Sequence, residues 1–474
     1  MQDKHLIVKK YLEDHSLVES NVISFNNFID KRMQEIVNEI SETITNNEFE
    51  IVLGKIKVGK PNVIESDGSS SLVMPYEARL RNLTYSAPIT LELTIKKDGQ
   101  IDSDDVEIGR IPIMVGSNRC NTYGFSKNDL IKNYNDPNDP GGYFMINGNE
   151  RVMIMSEDLA ENQPFIEENS KKNLHLRIFS SRGTYRIPTT IAENKEGIFE
   201  VSFSRFRDLP AIVLLKTLGM TKESEIAKLI GKETDNVIVN LYEFVNLSTP
   251  EDAMLYIAEK SSLQGTKKEI LDRVKSRIDS YLFPHIGQKK EDRIKKAVTL
   301  CKLIKQFLIA KEHPELKTDK DHYANKRVRL SGDLLASLFR VNLGVLVRDI
   351  QYSLQKSSKR KKLFSIRTIA KSTLFSHRVE SAIATGSWTG ERSGVTQNMD
   401  KTNYLAIISQ LQRVSSMLPS DQENFPARTL HPTHYGKFCP IETPEGTEIG
   451  LRKNLAILCK ISTRVELDDE KFVK

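Results

Sequence analysis

The densest run of chemically capable side chains lies between Arg428 and Leu451, where RTLHPTHYGKFCPIETPEGTEIGL gathers two histidines, a cysteine and three glutamates. His431, His434 and Cys439 are zinc-ligating types, and three protein ligands with an open fourth position would make a hydrolytic centre. The spacing argues against it. No further Cys or His follows at ligand distance, and Pro432 prevents the helical i, i+4 geometry that paired histidine ligands often use. Glu442, Glu445 and Glu448 could act as acid or base, but acids three apart with no partner to shift their pKa are more often surface or turn-capping groups. Three prolines and three glycines in the same run leave no room for a regular helix. They fix these side chains on rigid turns, the kind of loop that lines a site.

The elements that position this run are read from periodicity. The first 165 residues read mainly as strands and turns, with Val106 to Val115 rich in β-branched residues. A hairpin is expected from Tyr143-Phe-Met-Ile and Val152-Met-Ile-Met around Asn147-Gly148, whose residues supply the positive φ of a tight turn. Asp136 to Gly142 reads as a loop. From Leu174 to Phe206 further strands alternate, with Leu174, Leu176 and Ile178 on one face and a turn at Ser181 to Gly183. Helices then take over. Thr249-Pro250-Glu251-Asp252 has an N-cap hydroxyl, proline at the first helical position and early acids, and predicts a helix through Lys260. Lys289 to Lys311 carries an apolar stripe at Ile294, Val298, Cys301, Ile304 and Leu308, with lysines opposite. Asp333 to Gln355 predicts a long amphipathic helix. After Phe375 the Gly, Ser, Thr and Pro texture predicts loops on a scaffold.

At 474 residues with 39% apolar content, the chain should hold two to four domains with real cores. No apolar run reaches the length of a membrane helix, and the charged start does not resemble a signal peptide, so a cytoplasmic location is expected. Four scattered cysteines, Cys120, Cys301, Cys439 and Cys459, form no CxxC pair and predict free thiols. The net charge of +6 is mild. Its distribution is not: Lys317 to Arg378 holds fifteen basic residues against four acids, a polyanion footprint if the side chains share a face.

The segment 431–451, HPTHYGKFCPIETPEGTEIGL, resembles the signature of the second-largest subunits of multisubunit DNA-directed RNA polymerase, the bacterial β and archaeal and eukaryotic B family. Other matches follow in the family's order: GGYFMINGNERVMI at 141–154, DHYANKRV at 321–328, ATGSW at 384–388 and SGVTQNMD at 393–400. The resemblance implies a multidomain α+β protein with mixed antiparallel sheets and helices. It implies a protrusion over 1–165, a lobe over 166–316, the protrusion resumed over 317–375, and a fork over 376–474. Gln397 and Arg413 then fall where the family contacts nascent RNA or the RNA–DNA hybrid. His431, Glu442, Glu445 and Gly446 belong to the fork signature at the active centre, and the loop Pro419 to Ala427 faces downstream DNA. An amide and a guanidinium suit such contacts, because both bond phosphate and sugar oxygens without reading a base.

The resemblance assigns no catalytic residue and no bound metal to this chain; Mg²⁺ is expected on the largest subunit. Expected partners are the subunit's C-terminal half as a separate chain, the largest and smaller polymerase subunits, DNA, RNA and basal transcription factors, with no membrane. A subunit split as in methanogen-like archaea accounts for the missing second half, and so does a fragment of a longer subunit. Where bacterial members carry more basic residues, this chain has Gln410, Leu411 and Gln412. Gln410 replaces a histidine usual in the rifamycin pocket, so rifamycin binding is not expected. Two competing readings are a stand-alone nucleic-acid-binding protein using the basic segment, and a metallohydrolase using His431, His434 and Cys439. Co-purification with large polymerase subunits separates the first, and metal analysis the second.

Overall fold

A computed structural model describes residues 4–41, 50–97, 100–168, 173–182, 185–231, 235–359, 372–390 and 392–462. The chain forms two compact units, Met1–Asp158 with Arg327–Lys474, and Leu159–Lys326. The architecture is α+β, with antiparallel sheets and one parallel strand pair. All four cysteines are free thiols.

The first unit corrects the expectation of strands and turns at the start. Helices occupy Lys4–Asp14, Glu19–Asn27 and Met33–Ser41, with a π turn at Phe28–Arg32. The buried stripe Phe25, Phe28, Ile29, Met33, Ile36 and Val37 is helical, but the π turn shifts its period and polar Asn21 and Ser24 sit on the buried side. Those two polar groups have distant partners. Asn21 and Ser24 bond Ser331 and Gly332 at the start of the long helix Ser331–Lys359, where the Ser331 hydroxyl donates to Asn21 O at 3.1 Å. A Cβ on Gly332 would lie 2.1 Å from Ser24 O, so only glycine permits this approach. Arg340 pairs with Glu39 at 2.7 Å and Phe339 meets Phe28 edge-on, so segments some 300 residues apart share one core.

The expected hairpin is present as Phe144–Ile146 and Asn149–Met153, and Asn147 and Gly148 both take positive φ. Contrary to the loop texture read after Phe375, helices form at Ser372–Thr385 and Tyr404–Leu411. The first packs Phe375, Val379 and Ile383 into the core, so few apolar anchors suffice once tertiary contacts exist.

The second unit pairs five antiparallel strands in the order Phe206–Pro210, Phe199–Phe203, Tyr185–Glu193, Leu174–Arg182, Pro164–Glu168, followed by helices around a core of its own. Leu174–Arg182 is strand to its end, against the turn expected from Ser181, and Gly183 of that turn lies outside the described residues. The Thr249 cap is as expected: its side chain accepts from Asp252 N and the helix runs Pro250–Lys260. The helix expected from Lys289 is Arg293–Glu312, and Cys301, Ile304 and Leu308 of the predicted stripe are buried. Ile294 is exposed instead, and Ala297, Leu300 and Phe307 widen the buried face. Lys296, predicted on the solvent side, is wholly buried and donates to Asp279 O at 2.7 Å. It uses its cation as a C-cap for the helix Lys267–Tyr281.

Candidate nucleic-acid interface

Two short strands carry Gln397 and Arg413. Thr396–Asn398 pairs with Asn149–Met153, setting Gln397 opposite Val152. Arg413–Ser416 is a central strand, parallel to Met155–Leu159 and antiparallel to Arg452–Asn454, with Arg413 opposite Asn454. Strands this short lack the ladder bonds to hold themselves, so side chains join them.

Gln410 does most of that joining. It is buried; its Nε2 donates to Asn398 O at 2.8 Å and its Oε1 accepts from Asp400 N at 2.8 Å. A single amide thus fixes the turn that follows Gln397. Leu411 and Gln412 are buried as well, so the stretch where bacterial relatives are more basic here supports the surface from beneath. Asp400 accepts from the Thr402 hydroxyl at 2.6 Å and the Thr402 N–H at 3.0 Å. These bonds, the hydroxyl first, hold its carboxyl below the usual range, and the positive charge of Arg413 adds to the effect. Arg413 therefore has an acid near it and is half-exposed.

Glu442 joins this group. Ser409 donates to its carboxylate, and Asn454 Nδ2 donates to both Ser409 O and Ser409 Oγ at 2.9 Å. The structure thus brings Glu442, Ser409, Asn454 and Arg413 together through one helix and one strand pair. The other signature residues have local tasks. His431 Nδ1 accepts from Thr433 N at 3.2 Å and caps the turn Pro432–His434. Glu445 is exposed at the start of the turn Gly446–Glu448, and Gly446 has φ +82° with open space beside it, so its positive φ is the reason for glycine. The loop Pro419 to Pro426 is exposed.

His434 is buried against the rings of His431 and Phe438, and the Cys439 N–H is taken up by Asn454 O. Among the described residues no three His, Cys, Asp or Glu side chains come together to hold a metal ion. Among the described residues the donor sets therefore fit neither Mg²⁺ nor zinc. A third of the basic segment is committed to ion pairs. Lys317, Lys320, Lys326, Arg329 and Arg340 pair with Glu168, Glu167, Asp321, Asp158 and Glu39, and five of the fifteen basic residues lie outside those described.

Two structural residues escaped sequence reading. Arg428 Nη1 donates to Thr447 O and Ile449 O at 2.6 and 3.1 Å, and its Nη2 to Ser420 O and Gln422 O at 2.8 and 3.2 Å, tying the 419–427 loop to the signature turn. Lys453 is buried in a bidentate pair with Glu157 at 2.8 and 2.9 Å, and lies over the Phe438 ring. An arginine beginning a Pro/Gly-rich run was the available signal for the first, since such loops leave carbonyls without ladder partners. Nothing local marks the second, because its partner is 296 residues away.

Among the described residues, this face is a scaffold that fixes polar groups on turns through side-chain bonds to the backbone. Residues 16–377 match the RNA polymerase beta subunit family, and residues 397–461 match RNA polymerase Rpb2, domain 3. The chain belongs to the family of second-largest subunits of DNA-directed RNA polymerase, a nucleotidyltransferase, and corresponds to the N-terminal part of that subunit. It is 40% identical to DNA-directed RNA polymerase subunit Rpo2N of Methanocaldococcus jannaschii, over 99% of this chain and 97% of that one. It is 39% identical to subunit Rpo2N of Halobacterium salinarum, over 100% and 94%. Against subunit Rpo2 of Saccharolobus solfataricus it is 36% identical, over 98% of this chain but 42% of that protein.

Proposed function

We propose that this chain forms part of the nucleic-acid cleft of an RNA polymerase, with Gln397 and Arg413 contacting the RNA–DNA hybrid and the 419–427 loop facing downstream DNA. The Gln410 network carries the reading: one buried amide couples the strand of Gln397 to the helix before Arg413, so the two side chains belong to a single rigid surface. His431, Glu442, Glu445 and Gly446 line the active-centre side of the fork. The enzyme acts in the cytoplasm, with Mg²⁺ held by the largest subunit. A companion chain carries the rest of this subunit, and the largest and smaller subunits and basal transcription factors complete the assembly. Exposed apolar side chains on the signature loops support such partners, with Tyr435 94%, Ile441 86% and Phe425 78% exposed. In the reconstituted enzyme, Arg413→Ala should remove a charge-assisted contact worth about 1.5–3 kcal/mol. Elongation complexes should be shorter-lived on every template, with the gap narrowing at raised salt. Unchanged lifetimes on two unrelated templates, with assembly intact, would sink the role of Arg413.

A further inference from the structure

The turn after Gln397 has a second anchor besides Gln410. The ladder between Thr396–Asn398 and Asn149–Met153 ends at the pair Asn398–Arg151, and the next amide, Met399 N, donates to Glu150 O at 3.1 Å. The Glu150 side chain then takes up the turn's cation. Its Oε2 pairs with Lys401 Nζ at 2.5 Å, while its Oε1 accepts from Arg79 Nε at 2.7 Å. Gln410 bonds residues 398 and 400 and Glu150 bonds 399 and 401, so two residues tie four successive positions. The Glu150 side chain is 8% exposed and that of Lys401 55%, so a buried acid holds a residue at the surface.

Charge explains why Lys401 is held. Arg79 also pairs with Asp139 at 3.3 Å, and the Tyr143 hydroxyl donates to the same Asp139 oxygen at 2.6 Å. Burial pushes the Tyr143 phenol well above its ordinary value, so it stays a neutral donor and adds no charge. Among the described residues, Arg79 is thus one cation shared by two carboxylates, and Lys401 supplies the second. A carboxylate buried this deeply is costly unless its charge is paired. A surface lysine ordinarily samples many rotamers; here the unbalanced acid fixes it.

We propose that Glu150 is a positioning residue for RNA synthesis, which through Lys401 and the Met399 amide fixes the turn after Gln397 and so holds Gln397 against the RNA–DNA hybrid. The inference rests on the hybrid contact proposed for Gln397. Arg79, Asp139 and Tyr143 act behind Glu150: they orient its carboxylate and leave it one positive charge short, which the turn provides through Lys401.

The test measures elongation-complex lifetime in the reconstituted polymerase, together with cross-linking to labelled RNA and DNA from Gln397→p-benzoylphenylalanine. Glu150→Gln keeps an acceptor for Arg79 but removes the charge that holds Lys401, and Lys401→Met removes the cation alone. Each should shorten lifetimes about threefold or more and lower the cross-link yield, and the double change should be no worse than either single one. Lys401→Arg, which can still pair with the carboxylate, should keep the parent lifetime. If Lys401→Met shortens lifetimes but Glu150→Gln does not, or if the two losses multiply in the double variant, Lys401 acts on nucleic acid directly and Glu150 has no positioning role. Should Glu150→Gln fail to assemble, Lys401→Met decides: a parent-like lifetime overturns the proposal, and a loss that Lys401→Arg avoids supports it. If the probe at 397 reaches neither RNA nor DNA, the hybrid reading and this inference both fail. If it reaches them while both single variants keep the parent lifetime, only this inference fails.

Discussion

The inserted unit and the face that carries Gln397 and Arg413 are held together by different physics. In 159–326, five antiparallel strands of five to nine residues satisfy their backbone in ladders, and helices close over a separate apolar core. On the Gln397–Arg413 face the strands have three to five residues, and side chains of Gln410, Asn454 and Arg428 bond backbone carbonyls beside the short ladders. Both regions keep apolar groups exposed, Tyr242 and Ile294 in the inserted unit and Tyr435 and Ile441 on the signature loops.

Both regions bury lysines, and Lys453 and Lys296 are satisfied differently. Lys453 faces a carboxylate, Glu157, whereas the ammonium of Lys296 donates to the carbonyls of Ile278 and Asp279. Burial brings the Lys296 ammonium down to about 8, with the charges of Asp279 and Asp292 opposing the shift.

Breaking the pair should have the largest effect. Lys453→Met leaves the Glu157 carboxylate without its cation and should destabilise the first unit by about 3–5 kcal/mol. The double change with Glu157→Leu should recover most of that loss. Urea unfolding followed by exchange in each unit separately should show the inserted unit unaffected, and a single-mutant loss below about 1 kcal/mol would contradict the pairing.

The effect at Lys296 should be smaller and visible in pH. Its folded value of about 8 lies below the ordinary 10.5, so the unfolded state binds more protons between those values. Stability of the inserted unit should therefore rise as pH goes from 8 to 10.5, with a slope below the one-proton limit of about 1.4 kcal/mol per pH unit. Lys296→Met should flatten that rise, and an equal slope in parent and variant would show that the lysine is solvated.

Legibility in the sequence followed the range of the determining contacts. The Asn147-Gly148 hairpin, the Thr249 cap and the Ser331–Lys359 helix are set by neighbours in sequence, and each was legible. The N-terminal helices were misread as strands because Asn21 and Ser24 look out of place until Ser331 and Gly332 arrive to bond them. Lys296 was placed in solvent for the same reason: its partners belong to another helix. At the candidate site, the family motifs marked Gln397, Arg413 and Glu442, but not that Gln410 and Asn454 hold them, since an amide in sequence carries no sign of which carbonyl it will meet.

The most direct measurement is photo-crosslinking from Gln397→p-benzoylphenylalanine in a reconstituted elongation complex with labelled RNA and labelled DNA strands. A hybrid-facing surface predicts cross-links to nascent RNA or to its template partner, similar on unrelated sequences, and weakened when Gln410→Ala frees the turn beneath. Cross-links confined to protein subunits, in complexes that still extend RNA, would contradict the placement of this face against the hybrid.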